Sequence, residues 1–222
     1  MKKALLLLIV CFGIAGSVQA QSSILEKGQN GFGIDGGFSS SEGTSGINGG
    51  FGYSYAGVLD LGISIGRFSF DPQIIGEKLN ETSISPYVSY FIIKQDDQIP
   101  VSIELNGSYS RHTMSSQALR DYNINITGNS YTIGTSLYNI IEASEAMRIQ
   151  PSIGFYYITT EVKAEDGFEI MTESTDGTRF LLGLSLIFQT SPNYIFAVTP
   201  SLGYRDDTAT FGISLNMILP QN

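Results

Sequence analysis

Apolar residues recur at every second position through most of the chain after residue 30. In 180–188, FLLGLSLIF, every even-numbered residue is Phe or Leu. In 101–109, VSIELNGSY, the odd-numbered positions carry Val, Ile, Leu, Gly and Tyr, with polar residues between them. A period of two is that of a β-strand with one apolar face and one polar or small-residue face. No segment after residue 20 shows helical periodicity, so the chain is predicted to be all-β.

Ten alternating segments of this kind follow one another. They lie at about 31–40, 46–56, 58–70, 82–93, 100–112, 124–141, 146–162, 178–189, 193–205 and 208–219. An even number of alternating segments of roughly ten residues is typical of a transmembrane β-barrel, whose strands face lipid on one side. We therefore predict one antiparallel transmembrane β-barrel of ten strands over residues 21–222, with eight strands as the alternative.

The predicted connections alternate in length. Long ones lie at 39–46, 71–81, 113–123 and 163–177, and short ones at 56–57, 94–98, 142–145 and 189–193. In bacterial barrels the periplasmic turns are short and the outer loops are longer. Both chain ends are therefore predicted on the periplasmic side, although the last outer connection, at 205–207, is short.

Aromatic side chains lie near both ends of the predicted apolar faces. Those expected at the periplasmic rim are Tyr53, Tyr55, Tyr90, Phe188 and Phe196. Those expected at the outer rim are Tyr109, Tyr131, Tyr157, Phe180, Tyr204 and Phe211. Two aromatic girdles around an aliphatic belt are typical of lipid-facing barrels, whereas a soluble β-sandwich would gather its aromatics in one shared core.

The first 20 residues have the features of a signal peptide. Two lysines precede an apolar run that is shorter than the ~20 residues a transmembrane helix needs. Val and Ala stand at positions −3 and −1 before Gln21. Removal of residues 1–20 takes away the single cysteine, Cys11, and two of the 12 basic residues. The ten that remain face 21 acidic residues, a net charge of −11, so nucleic acid is not an expected partner.

The hexapeptide GFGIDG at 31–36 matches the glycine pattern of a dinucleotide-binding turn. That turn needs a strand before the first glycine and a helix after the last. Here Phe32, Ile34 and Phe38 continue the two-residue alternation through the glycines and beyond them. We therefore expect no cofactor. The glycines are predicted on the inner wall, where they let the sheet bend and leave room in a narrow lumen.

Three segments, GFGIDGGF, GGFGYSYA and LGISIGRFSF, resemble strands of the small bacterial outer-membrane β-barrel proteins. This group includes the OmpA-like and OmpW-like barrels and many members labelled as porin family. The resemblance covers nearly the whole mature chain and implies a Gram-negative cell-envelope protein surrounded by outer-membrane lipid. The chain departs from the group at its end, MILPQN, which lacks the terminal aromatic residue that many members use for insertion.

Six charged residues are predicted on the polar faces and therefore inside the lumen. They are Asp35, Asp60, Glu104 and Arg148 towards the periplasmic end, and Arg179 and Arg205 near the outer mouth. A charge inside a narrow barrel needs a partner or water. We predict that Arg148 pairs with Glu104 or Asp60 in a polar plug. The alternative is that each charge contacts lumen water alone.

Candidate catalytic and metal-binding residues are few. His112, the single histidine, is predicted at the outer end of the fifth strand, with Ser115 and Ser116 nearby. A catalytic base needs a partner within hydrogen-bond reach, and closeness in sequence does not establish one. The acidic residues of 163–177 lack the spacing of a calcium-binding loop. We expect no catalytic, cofactor or metal site.

The expected strand number limits the function. Barrels of about eight strands fill with side chains, whereas porins of about 16–18 strands leave an aqueous channel. We expect a monomeric, non-enzymatic outer-membrane protein whose barrel anchors acidic loops for structural or surface-interaction roles, including contact with an extracellular ligand. The alternatives are a narrow porin-like channel for small solutes and an outer-membrane enzyme that uses His112.

Overall fold

The computed structural model describes residues 21–71, 78–96, 98–165 and 170–221. The predicted signal peptide lies outside these residues, as do most of the predicted loop 71–81 and the tip of 163–177. The strands are β1 (Asn30–Ser41), β2 (Thr44–Tyr55), β3 (Leu59–Phe70), β4 (Leu79–Ile93), β5 (Ser102–Ser115), β6 (Asn125–Tyr138), β7 (Ile141–Ser144), β8 (Met147–Glu165), β9 (Ile170–Ser191), β10 (Tyr194–Arg205) and β11 (Thr208–Gln221). A 3-10 turn, Gln21–Ser23, precedes them, and one short helix, α1 (Gln117–Asp121), joins β5 to β6.

The strands form one closed antiparallel sheet. Consecutive strands pair from β1 to β6 and from β7 to β11, β1 pairs with β11, and β6 pairs with β8. β7 continues β6, because Tyr138 opposite Ser152 and Ile141 opposite Ile149 share one register along β8. The ladder is interrupted opposite Pro151, which has no N–H to donate. The ring therefore has ten strand positions, which confirms the predicted ten-strand barrel and excludes the eight-strand alternative.

The connections differ from the predicted pattern at several places. β1 and β2 are joined by a tight turn in which Gly43 has φ +68°, and the expected long loop at 39–46 is absent. β8 runs to Glu165 and β9 starts at Ile170, so most of the predicted loop 163–177 is a paired hairpin. A strand that does not face hydrocarbon needs no apolar face, which is why alternation does not reveal this hairpin.

Helix α1 was not expected either. Its five residues, Gln117–Asp121, are too few to show a helical period in the sequence. Among the described residues, no helix is long and apolar enough to span a membrane.

The apolar face of each strand points away from the lumen. Phe51 and Ile133 expose 63% and 65% of their surface. A soluble β-sandwich would bury such residues in its core. The outward faces also carry the predicted aromatic rims, and neighbouring rings contact each other there: the Phe32–Tyr53 centroids lie 4.9 Å apart and the Tyr109–Tyr131 centroids 5.2 Å apart.

Several inner-wall glycines make room for aromatic side chains inside the lumen. A Cβ added at Gly62 would lie within 2.6 Å of the Tyr87 ring. One added at Gly134 would lie 2.6 Å from the Phe155 carbonyl oxygen and also overlap the Tyr156 ring. The lumen is therefore filled by large rings set against glycines on neighbouring strands, in agreement with the predicted role of the glycines.

The substitution Gly134→Ala is expected to destabilise the barrel by about 1–3 kcal/mol, because overpacking forces the Tyr156 ring or the strand to move. The measurement is urea unfolding in detergent micelles, with folded protein detected by its altered gel migration before boiling. Gly36→Ala is the control, since its nearest neighbouring atom lies 3.8 Å from the added Cβ. Equal stability of the two variants would contradict the proposed fit between glycine and ring.

Candidate functional site

The proximal mouth, defined as the end of the barrel that holds Asn30 and Gln221, is closed by residues 21–25. The Ser22 backbone N–H donates to Asp60 Oδ2 at 2.8 Å. Its hydroxyl group hydrogen-bonds the Ser54 hydroxyl at 2.7 Å and also donates to Asp60 Oδ1. Gln150 Nε2 donates to the Ser23 carbonyl oxygen at 2.8 Å. These contacts fix one side of the segment to β2, β3 and β8.

The other side of this segment is apolar. Ile24 and Leu25 are 1% exposed. They pack against the inward-facing side chains of β9, β10 and β11, which are Ile187, Ile195, Ala197 and Ile218. Full burial of one such side chain contributes roughly 1.5–3 kcal/mol. Residues 21–25 thus span the lumen from one wall to the other, and we call them the plug.

Lys94, just beyond the end of β4, holds the plug from a third direction. Its Nζ donates to the carbonyl oxygens of Ser22 at 2.7 Å and Gly57 at 2.6 Å, and also to that of Leu25. Burial lowers the pKa of Lys94 to about 8, and the nearby Asp60 carboxylate opposes this shift. The ammonium group therefore loses its hydration and instead donates hydrogen bonds to backbone carbonyl oxygens.

A chain of polar side chains joins β4, β5 and β6 on the inner wall of the lumen. The Tyr138 hydroxyl donates to Glu104 Oε2 at 2.6 Å. Asn106 Oδ1 accepts from Ser89 at 2.9 Å, and Asn106 Nδ2 donates to Ser136 at 3.1 Å. Hydrogen-bonded side chains of this kind lower the cost of burying polar groups, because each replaces a bond to water.

The predicted pairing of Arg148 is wrong. Asp60 is engaged by Ser22, and Glu104 by Tyr138. No ion pair among the described residues joins Arg148 to either carboxylate. Arg148 lies instead opposite Glu142 in the β7–β8 register. The plug is made by the chain segment that precedes β1, and not by opposite charges on the wall.

The other predicted lumen charges lie over glycines of neighbouring strands. A Cβ added at Gly50 would lie 2.6 Å from Asp35 Oδ2, and one added at Gly203 would lie 3.1 Å from Arg179 Nε. Arg205 forms an ion pair with Asp206 at 3.1 Å. Arg179 also lines a water-sized cavity beside β1 and β2. These side chains occupy the lumen without forming one shared site.

The structure brings together a buried carboxylate, an imidazole and a hydroxyl group in the distal half of the lumen, away from the chain ends. His112 Nδ1 lies 2.9 Å from Glu81 Oε1, and His112 Nε2 lies 2.9 Å from Ser130 Oγ. Ser130 Oγ also lies 3.0 Å from Thr160 Oγ1. The order carboxylate–imidazole–hydroxyl is that of a serine-nucleophile relay. It is also a fully satisfied network that ties β4, β5, β6 and β8 together.

An apolar cluster lies next to this network, at the distal ends of β4, β5, β6 and β8. It consists of Leu79, Met114, Leu119, Ile126 and Val162. Leu119 comes from α1, whose N-terminus is capped by the Ser116 hydroxyl accepting from the Leu119 N–H at 3.1 Å. Helix α1 therefore places one leucine over the lumen from outside the strand wall. We call these five residues the distal cap.

His112 lies near the outer end of β5, as predicted, and its side chain is buried inside the barrel. Its partners are Glu81 and Ser130, and no hydrogen bond joins it to Ser115 or Ser116 among the described contacts. Sequence reasoning missed Glu81 because the two residues are 31 positions apart. The contact between Glu81 and His112 could have been predicted from the inward position of both residues on adjacent strands.

No family model matches the chain, and no curated protein matches it. Solved structures do match. The translocator domain of the autotransporter NalP from Neisseria meningitidis has a TM-score of 0.58 at 10% identity, covering 87% of this chain and 89% of that one. The attachment invasion locus protein Ail of Yersinia pestis has a TM-score of 0.43 at 13% identity, covering 89% and 100%. The Escherichia coli outer-membrane protease OmpT has a TM-score of 0.40 at 7% identity, covering 86% and 94%.

These similar structures are bacterial outer-membrane β-barrels. The match to the NalP translocator domain shows the fold. Together with the closed ten-strand ring and its exposed apolar outer face, it defines the class of this chain as a barrel membrane protein.

Stability at alkaline pH is expected to report the buried Lys94. Its folded-state pKa of about 8 lies below the ordinary value of 10.5. Below pH 8 the folded state must bury the charge. Between pH 8 and 10.5 the unfolded chain binds the proton more tightly, so the free energy of unfolding rises with pH, by up to about 3 kcal/mol.

The measurement is urea unfolding in detergent micelles at pH 7.0, 8.0 and 9.0, a range chosen below the titration of tyrosine. Lys94→Met is the comparison, and only the pH dependence of the two proteins is compared. The rise is expected in the wild type alone. The same pH dependence in both proteins would contradict the assignment to Lys94.

Proposed function

We propose that this protein is a non-enzymatic, monomeric β-barrel of the bacterial outer membrane that anchors acidic loops at the cell surface. The observation that carries the proposal is the closure of the proximal mouth by the plug, which contacts both walls of the lumen. A barrel filled in this way offers solutes no continuous path. The function of such a barrel then depends on its outer surfaces.

Outer-membrane placement is supported by the class of fold and by the signal-like residues 1–20. With the proximal mouth in the periplasm, the β8–β9 hairpin and the β10–β11 turn face outwards. We also propose membership of the OmpA-like or OmpW-like group, on the strand patterns quoted above. The group's terminal aromatic residue is missing here, so the signal for insertion would have to come from the alternating residues of β11.

The distal connections supply the acidic surface. Their carboxylates, among the described residues, include Glu42, Asp71, Asp121, Glu165, Glu173, Asp176, Asp206 and Asp207. Asp207 accepts from the Tyr204 hydroxyl at 2.9 Å, and Asp206 pairs with Arg205, so the β10–β11 turn is ordered by its own side chains. An acidic surface of this kind suits a cationic partner.

One specific observation favours a second function, hydrolysis of an acyl ester. In that function His112 Nε2 would take the proton of the Ser130 hydroxyl as Ser130 Oγ attacks the acyl carbonyl, and would give it to the departing alcohol as the ester C–O bond breaks. Water, deprotonated by the same imidazole, would then release the acid from Ser130, and Glu81 would orient the imidazole. The adjoining apolar residues of the distal cap would suit an acyl chain. The reaction requires Leu119 to leave its place, because the Ser130 hydroxyl is buried beneath the cap.

The closed-barrel proposal is tested by planar-bilayer recording of the refolded protein at neutral pH. We expect no stable unit conductance, because the plug fills the proximal mouth. Heat-modifiable migration of the same preparation confirms that the barrel is folded, and a 16-stranded porin recorded in parallel confirms that the bilayers report channels. Stable unit conductance would overturn the proposal and support the narrow porin-like alternative.

The hydrolase candidate is tested by labelling with a fluorophosphonate, which reacts with activated serine. As a non-enzymatic barrel, the folded protein is expected to remain unlabelled. If it is labelled, the relay requires that Ser130→Ala abolish the label and that Ser110→Ala retain it. Ser110 is the matched control, since it lies opposite Ser130 and bonds Ser85 rather than His112. Label lost only in Ser130→Ala would establish the second function against the first.

A further inference from the structure

Three cations point outwards from the distal half of the barrel wall. Arg67 on β3, Arg111 on β5 and Lys163 on β8 are all exposed. Each continues the lipid-facing series of its strand, so it lies on the outer surface and not in the lumen. We call these three residues the outer cationic patch.

Strand register places Arg67 and Lys163 on one row of paired residues across the sheet. Arg67 pairs with Thr82, which pairs with Thr113. Thr113 pairs with Thr127, and Thr127 pairs with Lys163. A row of three threonines thus joins Arg67 to Lys163 across the wall. Neighbouring strands are about 4.8 Å apart, so long side chains on alternate strands can reach one ligand held over this row.

Arg111 lies just below this row, opposite Asn129. It is two residues beyond Tyr109, or about 7 Å further along the strand. Tyr109 stacks on Tyr131, and its hydroxyl donates to Asn129 Oδ1 at 2.7 Å. Paired tyrosines of this kind mark the boundary between hydrocarbon and headgroups. The patch therefore lies at the level of the lipid headgroups.

The charge distribution around the wall is one-sided. The outward faces of β3 to β6 carry no carboxylate in their described parts, and Glu161 and Glu165 are the acids that share the face of Lys163. No ion pair is formed by Arg67, Arg111 or Lys163 among the described residues. On β9, β10, β11, β1 and β2 the only basic residues are Arg179 and Arg205, which face the lumen.

We infer that the outer cationic patch binds an anionic membrane lipid whose headgroup carries phosphate monoester groups, in preference to a zwitterionic phospholipid. Guanidinium groups match phosphate oxygens with two parallel hydrogen bonds, and the threonine hydroxyls between them can donate further ones. The aliphatic residues below the patch, among them Ile65 and Ile84, would contact the acyl chains. The inference rests on the proposed outer-membrane placement, which sets the patch in the outer leaflet.

The test is native mass spectrometry of the full mature chain, refolded in detergent and mixed with either diphosphoryl lipid A or phosphatidylethanolamine. We expect the phosphorylated glycolipid to be retained at least about tenfold more strongly. The double variant Arg67→Gln/Arg111→Gln is expected to lose that preference. Arg120→Gln and Lys27→Gln remove exposed cations outside the patch and are expected to retain it.

Equal retention of the two lipids by the wild type would overturn the inference, as would undiminished preference in the double variant. Displacement of lipid A by millimolar inorganic phosphate would reassign the patch to free phosphate and likewise overturn the lipid proposal. Heat-modifiable migration checks that each variant is folded. Bilayer recording is independent of the patch. A wild-type protein that shows neither a lipid preference nor conductance would therefore refute this inference and leave the closed-barrel proposal intact.

Discussion

A strand that crosses hydrocarbon has no water to bond, so all its backbone N–H and C=O groups must find partners within the sheet. Here that condition is met by closure of the ring through the β1–β11 and β6–β8 pairs. Once the backbone is satisfied, the outward side chains need only be apolar. The polar chemistry of the wall is then turned inwards, which is why Asp60, Glu104 and Glu81 are all buried.

Closure of the ring with ten strands also fixes the volume of the lumen that side chains must fill. Tyr87 and Tyr156 occupy that space against Gly62 and Gly134, and hydroxyl groups bond one another across the wall. The same interior is amphipathic at the proximal mouth, where β9 to β11 present aliphatic side chains and the opposite strands present polar ones. The plug complements both halves, with Ile24 and Leu25 on one side and Ser22 on the other.

Strand positions and faces could be predicted from the sequence because alternation is a local property of each segment. Contacts between side chains of different strands could not, since they depend on strand register and join residues that are distant in sequence. Glu81 meets His112 across 31 positions, and Lys94 meets Ser22 across 72. The sequence predicts the inward face of Arg148 correctly. It predicts the wrong partner, because the partner depends on strand register. After Ser41 the sequence predicts a long loop where the structure has a tight turn, because strand ends rich in serine and glycine have the composition of loops.

The plug makes the beginning of the described chain part of the barrel's interior packing. Its side chains complete an interior that the wall alone leaves open, so the ring reaches its final packing only once this end has entered. A polypeptide fused directly before Gln21 would have to leave through the opening that residues 21–25 fill. A fusion after Gln221, which is exposed, meets no such obstruction and is the better position for an affinity tag.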